Sequence, residues 1–67
     1  MRITLKSPVY AVQDPTTGQS WLFRYGRDPV LKPALLGCMY LTRFDALKAA
    51  MHCLPRGSTF EINRFDQ

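Results

Sequence analysis

The chain has 67 residues, 46% of them apolar, which fits one domain over residues 1–67 and is too apolar for a disordered tail. A domain of this size buries only about 60% of its unfolded-chain surface, so a thin core and no enclosed active site are expected. Nine Lys and Arg against five Asp and Glu leave a net charge of +4, which suits an acidic partner.

From the N-terminus, RITLK alternates Ile3 and Leu5 with Arg2, Thr4 and Lys6, the pattern of a strand with one wet face. Pro8 lacks a backbone donor and interrupts it or confines it to an edge. VYAVQ resumes the extended pattern. In DPTTG, Asp14, Pro15 and Gly18 are turn residues. QSWLFRYG follows, placing Trp21, Phe23 and Tyr25 on one face and Leu22 and Arg24 on the other. These segments predict a β-hairpin. Pro29 and Pro33 exclude a regular central strand from RDPVLKPALLG, so a loop is expected there, with Leu31, Leu35 and Leu36 tucked into the core. CMYL, residues 38–41, is a candidate short third strand.

Thr42 is an N-cap residue, and Asp45 gives a short-armed capping box. At 100° per residue Phe44, Leu47, Ala50, Met51 and Leu54 share one helix face, widened by Ala46 and Cys53. Asp45, Lys48 and His52 make a narrow polar side. Leu54-Pro55 and Gly57 end the helix. In STFEINRF, Phe60, Ile62 and Arg64 alternate with Glu61, Asn63 and Phe65 as a closing strand. The expected fold is α+β: a small antiparallel sheet of three or four strands, in the order β-β-(β)-α-β, with one helix packed on one face. The helix spends its apolar arc on the sheet as scaffold, and the other sheet face is polar or covered by a partner.

No catalytic constellation emerges. His52 stands alone on the polar side of the helix, and neighbouring Cys53 points elsewhere. No His, Cys, Asp and Glu set has metal-ligand spacing, and the four glycines make no phosphate loop. No enzyme, no cofactor and no metal are expected. Cys38 and Cys53 form neither a disulfide framework nor a CxxC pair, and are read as reduced, partly buried thiols. No apolar run approaches the roughly 18 residues of a bilayer crossing. The N-terminus lacks a signal-peptide h-region, so a cytoplasmic location is expected.

Arg24, Tyr25 and Arg27 interleave with Trp21, Phe23 and Tyr10. Rings and guanidinium groups in that mixture serve a protein hot spot, a single-stranded nucleic-acid platform or simply a core. Arg24, Tyr25, Arg27 and Arg64, with Arg2, Lys6 and Tyr10, are the candidate partner-binding residues.

LTRFDALKAAMHCLPRGSTFEINRF, residues 41–65, resembles the strand–helix–strand core of small early bacteriophage proteins that inhibit bacterial RNA polymerase. The shared positions are Thr42, Ala46, Leu47, Ala50, Pro55, Gly57, Phe60, Glu61 and Arg64. ALLGCMYLTRFDALKAAM also resembles a segment of antitoxins that neutralise RNA-cleaving toxins, and the size and build are similar to anti-CRISPR proteins. These likenesses imply a cofactor-free protein in a bacterial host cell, acting by occupying another macromolecule. The expected function is a phage or mobile-element inhibitor that blocks a bacterial protein or nucleoprotein complex, RNA polymerase or a CRISPR effector, through an acidic patch. The alternatives are a small nucleic-acid-binding accessory protein and an antitoxin. Val12, Phe65 or Leu31, read as exposed apolar residues, would equally serve a homodimer, and no membrane partner is expected.

Overall fold

The computed structural model describes residues 7–66. The RITLK strand, with Arg2 and Lys6, lies outside the described residues. Strand β1 (Val9–Gln13) starts just after Pro8 and is followed by β2 (Ser20–Leu22), β3 (Val30–Lys32), helix α1 (Arg43–Cys53) and β4 (Glu61–Phe65). A single 3-10 turn, Ala34–Leu36, lies between β3 and α1. The strands form one antiparallel sheet in the order β3-β2-β1-β4, so the described residues make an α+β fold with four strands and one helix.

The DPTTG turn closes through Gly18 N–H donating to Asp14 O at 2.8 Å, while Asp14 Oδ1 accepts from Thr16 N. The hairpin that it makes is splayed. β1 and β2 pair only at Gln13 and Ser20. Beyond that pair, residues 38–40 wedge between the strands: Tyr10 and Tyr40 exchange both backbone hydrogen bonds at 2.8 and 2.9 Å, and Cys38 N–H donates to Trp21 O. CMYL therefore supplies a bridge rather than a strand. β1 pairs along its whole length with β4, from Val9–Phe65 to Gln13–Glu61. The expected loop between Pro29 and Pro33 holds the short strand β3, at the edge of the sheet, where a proline at each end takes no ladder position.

Val12, Ala46, Ala50 and Leu54 form the buried centre, with Tyr10, Trp21, Phe23, Tyr40, Phe60 and Ile62 packed around it. Thr42 caps α1 as expected, its Oγ1 accepting from Asp45 N at 3.0 Å. The face that α1 buries differs from the sequence reading. Ala46 and Ala50 are buried, whereas Phe44, Leu47 and Met51 are exposed. Alanines let the helix backbone come close to the sheet, and at that distance a Phe or Met would not fit between them.

Alternation places Val9, Ala11, Gln13 and Ser20 on the sheet face opposite Val12, and all four are buried. The 3-10 turn packs against β1 and β2 and receives Ser20 Oγ–H at Ala34 O. That face is thus covered in part by the chain itself, correcting the expectation that it is polar or left to a partner. Leu35 and Leu36, expected in the core, are exposed, and Leu31 is only half-buried. The one-turn helix uses its backbone and Ala34 to cover the sheet, which turns its leucines outward.

Candidate interaction surface

Three of the residues singled out in the sequence, Arg24, Tyr25 and Arg27, lie on the turn between β2 and β3. Arg27 N–H donates to Arg24 O at 3.1 Å, and Gly26 takes φ +70°, a conformation that glycine adopts without the clash of a Cβ. The tip carries Tyr25 at 106% of its reference exposure, between Arg24 and Arg27, which are also exposed. Tyr25 therefore stands apart from Trp21 and Phe23, whose face it was expected to share. Those two rings pack against the core, and the chain leaves the sheet at Leu22 before the alternation reaches Tyr25.

Tyr10 and Arg64 face each other across the β1–β4 ladder, on the far side of β1 from β2. Tyr10 is half-buried, with the Arg43 guanidinium 5.3 Å from its ring centroid. Arg43 also donates to Ile62 O at 3.2 Å. Arg64 is held in an exposed ion pair, Nε to Asp66 Oδ1 at 2.9 Å. So Arg24, Tyr25 and Arg27 are brought together, while Tyr10 and Arg64 form a second pair. Arg2 and Lys6 lie outside the described residues.

The helix contributes a surface that the sequence reading assigned to the core. Phe44, Leu47 and Met51 are exposed along one side of α1, and Leu41, just before the Thr42 cap, is exposed as well. Lys48 extends over Phe44, its Nζ 5.7 Å from the ring centroid. A signal for this face was present. Ala46, Ala49 and Ala50 make a second, small-residue arc on the same helix, and close packing on a sheet selects the smaller arc.

Two open clefts flank the C-terminal end of α1. One, of about 370 Å³, is lined by Ala50, Met51, Leu54, Pro55 and Phe60, with Arg56, Gly57 and Ser58 at its polar side. The other, of about 320 Å³, is lined by Trp21, Asp28, Pro29, Leu54, Pro55 and Ser58. The buried indole N–H of Trp21 has no acceptor among the described groups.

His52 is exposed, and so is Cys53, contrary to the expectation of a partly buried thiol, because it sits in the last turn of α1, past the alanines that face the sheet. Cys38 is half-buried, its Sγ accepting from Phe23 N and donating to Phe23 O. Among the described residues no group of three or more His, Cys, Asp and Glu is placed to hold a metal ion. No helix among them is long and apolar enough to cross a membrane. Comparison with protein families, curated proteins and solved structures gave no match.

Proposed function

We propose that this chain is a non-enzymatic inhibitor that docks on an acidic surface of a larger bacterial nucleic-acid machine and blocks it. The observation that carries the reading is the turn tip: Tyr25 wholly exposed, between two exposed arginines, on a hydrogen-bonded turn. Tyrosine and arginine are the residue types that dominate binding energy at interfaces. A turn fixed by its own backbone hydrogen bond loses little conformational freedom when it binds. The net charge of +4 favours an acidic partner and speeds encounter with it. An interface of about 800 Å² per partner is within reach of so small a protein. The choice of target, RNA polymerase or a CRISPR effector, rests on the resemblance of residues 41–65 to phage early inhibitors.

The test is affinity capture from a bacterial lysate, comparing the chain with its Arg24→Glu/Arg27→Glu variant. The reading expects an acidic multi-subunit complex on the first and its loss on the second, with the variant's circular dichroism unchanged. Capture of free oligonucleotide, with a steep salt dependence, would instead support direct nucleic-acid binding.

A further inference from the structure

β4 is an edge strand, and its outer side carries backbone groups that the ladder with β1 does not use. Residues facing each other across an antiparallel ladder alternate between pairs that exchange hydrogen bonds and pairs that turn theirs away. Tyr10 gives both backbone groups to Tyr40, on the β2 side, so Tyr10–Arg64 is a pair of the second kind. Val12–Ile62, two positions on, is another. The N–H and C=O groups of Ile62 and of Arg64 therefore point outward, the two residues about 7 Å apart. Among the described residues one group meets them, Arg43 Nη1 at 3.2 Å from Ile62 O. From Glu61 to Phe65 the strand has no proline and no break in its ladder, two common guards against further pairing.

A recess for a side chain adjoins this edge. Arg43 reaches the edge from α1, and Met51 follows it by eight positions, on the same side of the helix. The cleft of about 370 Å³ lies between Met51 and Phe60, the residue that leads into β4. Its volume falls in the ~300–1,000 Å³ range of ligand pockets, and Ala50 and Leu54 add to its apolar lining.

We propose that the outer edge of β4 takes an extended acidic peptide segment as a fifth strand, with one apolar side chain of that segment in the cleft at Met51 and Phe60. A strand is the complement of such an edge, because its N–H and C=O groups repeat at the same spacing and pair with those of Ile62 and Arg64. Alternate side chains of the added strand share the helix side of the sheet, which brings one of them to the cleft. The acidic character follows from the charges along the path. Arg43 and Arg56 border it on the helix side, and alternation puts Arg64 on the same sheet face as Ile62, which packs against the core under α1. Glu61 falls on the opposite face, and Asp66 is already paired with Arg64. When the strand adds, Arg43 leaves Ile62 O and takes a carboxylate of the peptide instead. This edge is across the sheet from the turn carrying Arg24, Tyr25 and Arg27, and strand addition does not need that turn.

The test titrates the 15N-labelled full chain with a capped nonapeptide alternating glutamate and threonine, its central glutamate replaced by leucine. The amide signals of Ile62 and Arg64 are expected to shift with a Kd below about 1 mM, and their hydrogen exchange to slow at least about tenfold. Of two such peptides N-methylated at alternate residues in opposite phases, one is expected to bind and the other not, because only one side of a strand faces β4. Arg64→Pro removes an N–H that the ladder does not use and is expected to weaken binding at least about tenfold with unchanged circular dichroism. Arg64→Ala keeps that N–H and is expected to weaken it less. Equal binding of both methylated peptides, or shifts confined to residues 24–27, would overturn the proposal. So would slower exchange at Ile62 and Arg64 with rising protein concentration alone, the mark of a second copy on this edge. Arg24→Glu/Arg27→Glu leaves the shifts at Ile62 and Arg64 in place, so this inference and the proposed function fail separately.

Discussion

Gln13 and Ser20 face each other across the only pair that joins β1 to β2, with Gln13 Nε2 donating to Ser20 Oγ at 3.0 Å. Both are buried. Gln13 Nε2 also donates to Gly18 O at 2.9 Å, and Gln13 Oε1 accepts from Asn63 Nδ2 at 2.7 Å. Ser20 Oγ–H passes the chain on to Ala34 O. One polar thread thus ties β4, β1, β2 and the 3-10 turn together.

Removing one link leaves the others buried without partners. Ser20→Ala orphans a Gln13 N–H and the Ala34 carbonyl, and is expected to cost about 1–3 kcal/mol. Urea denaturation followed by tryptophan fluorescence measures it. An unchanged midpoint would show that the thread contributes nothing to stability.

The approach of the turn to β2 depends on Gly37. A Cβ built there would lie 2.6 Å from Ser20 Cβ and 2.9 Å from Trp21 O. Gly37→Ala is therefore expected to destabilise by about 1–3 kcal/mol through overpacking, although its φ of −81° suits any residue. The same denaturation experiment reads it.

The helix gives a paired contrast. Ala50 is 1% exposed and Phe44 is 67% exposed. Ala46, 0% exposed and outside both clefts, is the stricter position, and Ala46→Leu is expected to cost about 1–3 kcal/mol through overpacking. Phe44→Ala is expected to change stability by no more than about 0.5 kcal/mol. The reverse order would restore the face that the sequence pattern favoured.

Tyr40 gives a pH dependence. Burial raises its pKa, and Cys38 raises it further by charge and by a hydrogen bond, with a smaller contribution from Cys53. The folded state holds the phenolic proton beyond the ordinary tyrosine pKa of about 10. The resulting stability is complete below that pH and is lost as pH rises through and above it, because the unfolded chain then binds fewer protons. Urea midpoints are expected to fall more between about pH 9 and 11 in the wild-type chain than in Tyr40→Phe. Parallel curves would show that Tyr40 carries no such linkage.

The sequence was most informative where one local preference decided the structure. Thr42, Pro55 and Gly57 bounded α1, Asp14 and Gly18 made the first turn, and Phe60, Ile62 and Arg64 set the phase of β4. It misled where two arcs competed for one surface. On α1 the larger apolar arc drew the assignment to the core, but the alanine arc allows the closer approach. Leu35 and Leu36 were misplaced because hydrophobicity does not report which way a single 3-10 turn faces. Val12 was read as exposed and is fully buried, since register, unlike alternation, depends on a strand distant in the chain. For the candidate surface, Arg24, Tyr25 and Arg27 stood out by residue type, but the alternation of QSWLFRYG put Tyr25 on a strand face with Trp21 and Phe23, because nothing local shows that the strand ends at Leu22. The exposure of Phe44 and Met51 was not legible.

We propose that this chain works by attaching to an acidic macromolecule through Arg24, Tyr25 and Arg27. The most direct measurement is quantitative capture from bacterial lysate by the wild-type chain and by folded Arg24→Glu/Arg27→Glu, at low and at physiological salt. The expected result is an acidic complex that the wild type retains more strongly at low salt and the variant fails to retain at either. Equal retention by both chains would contradict it.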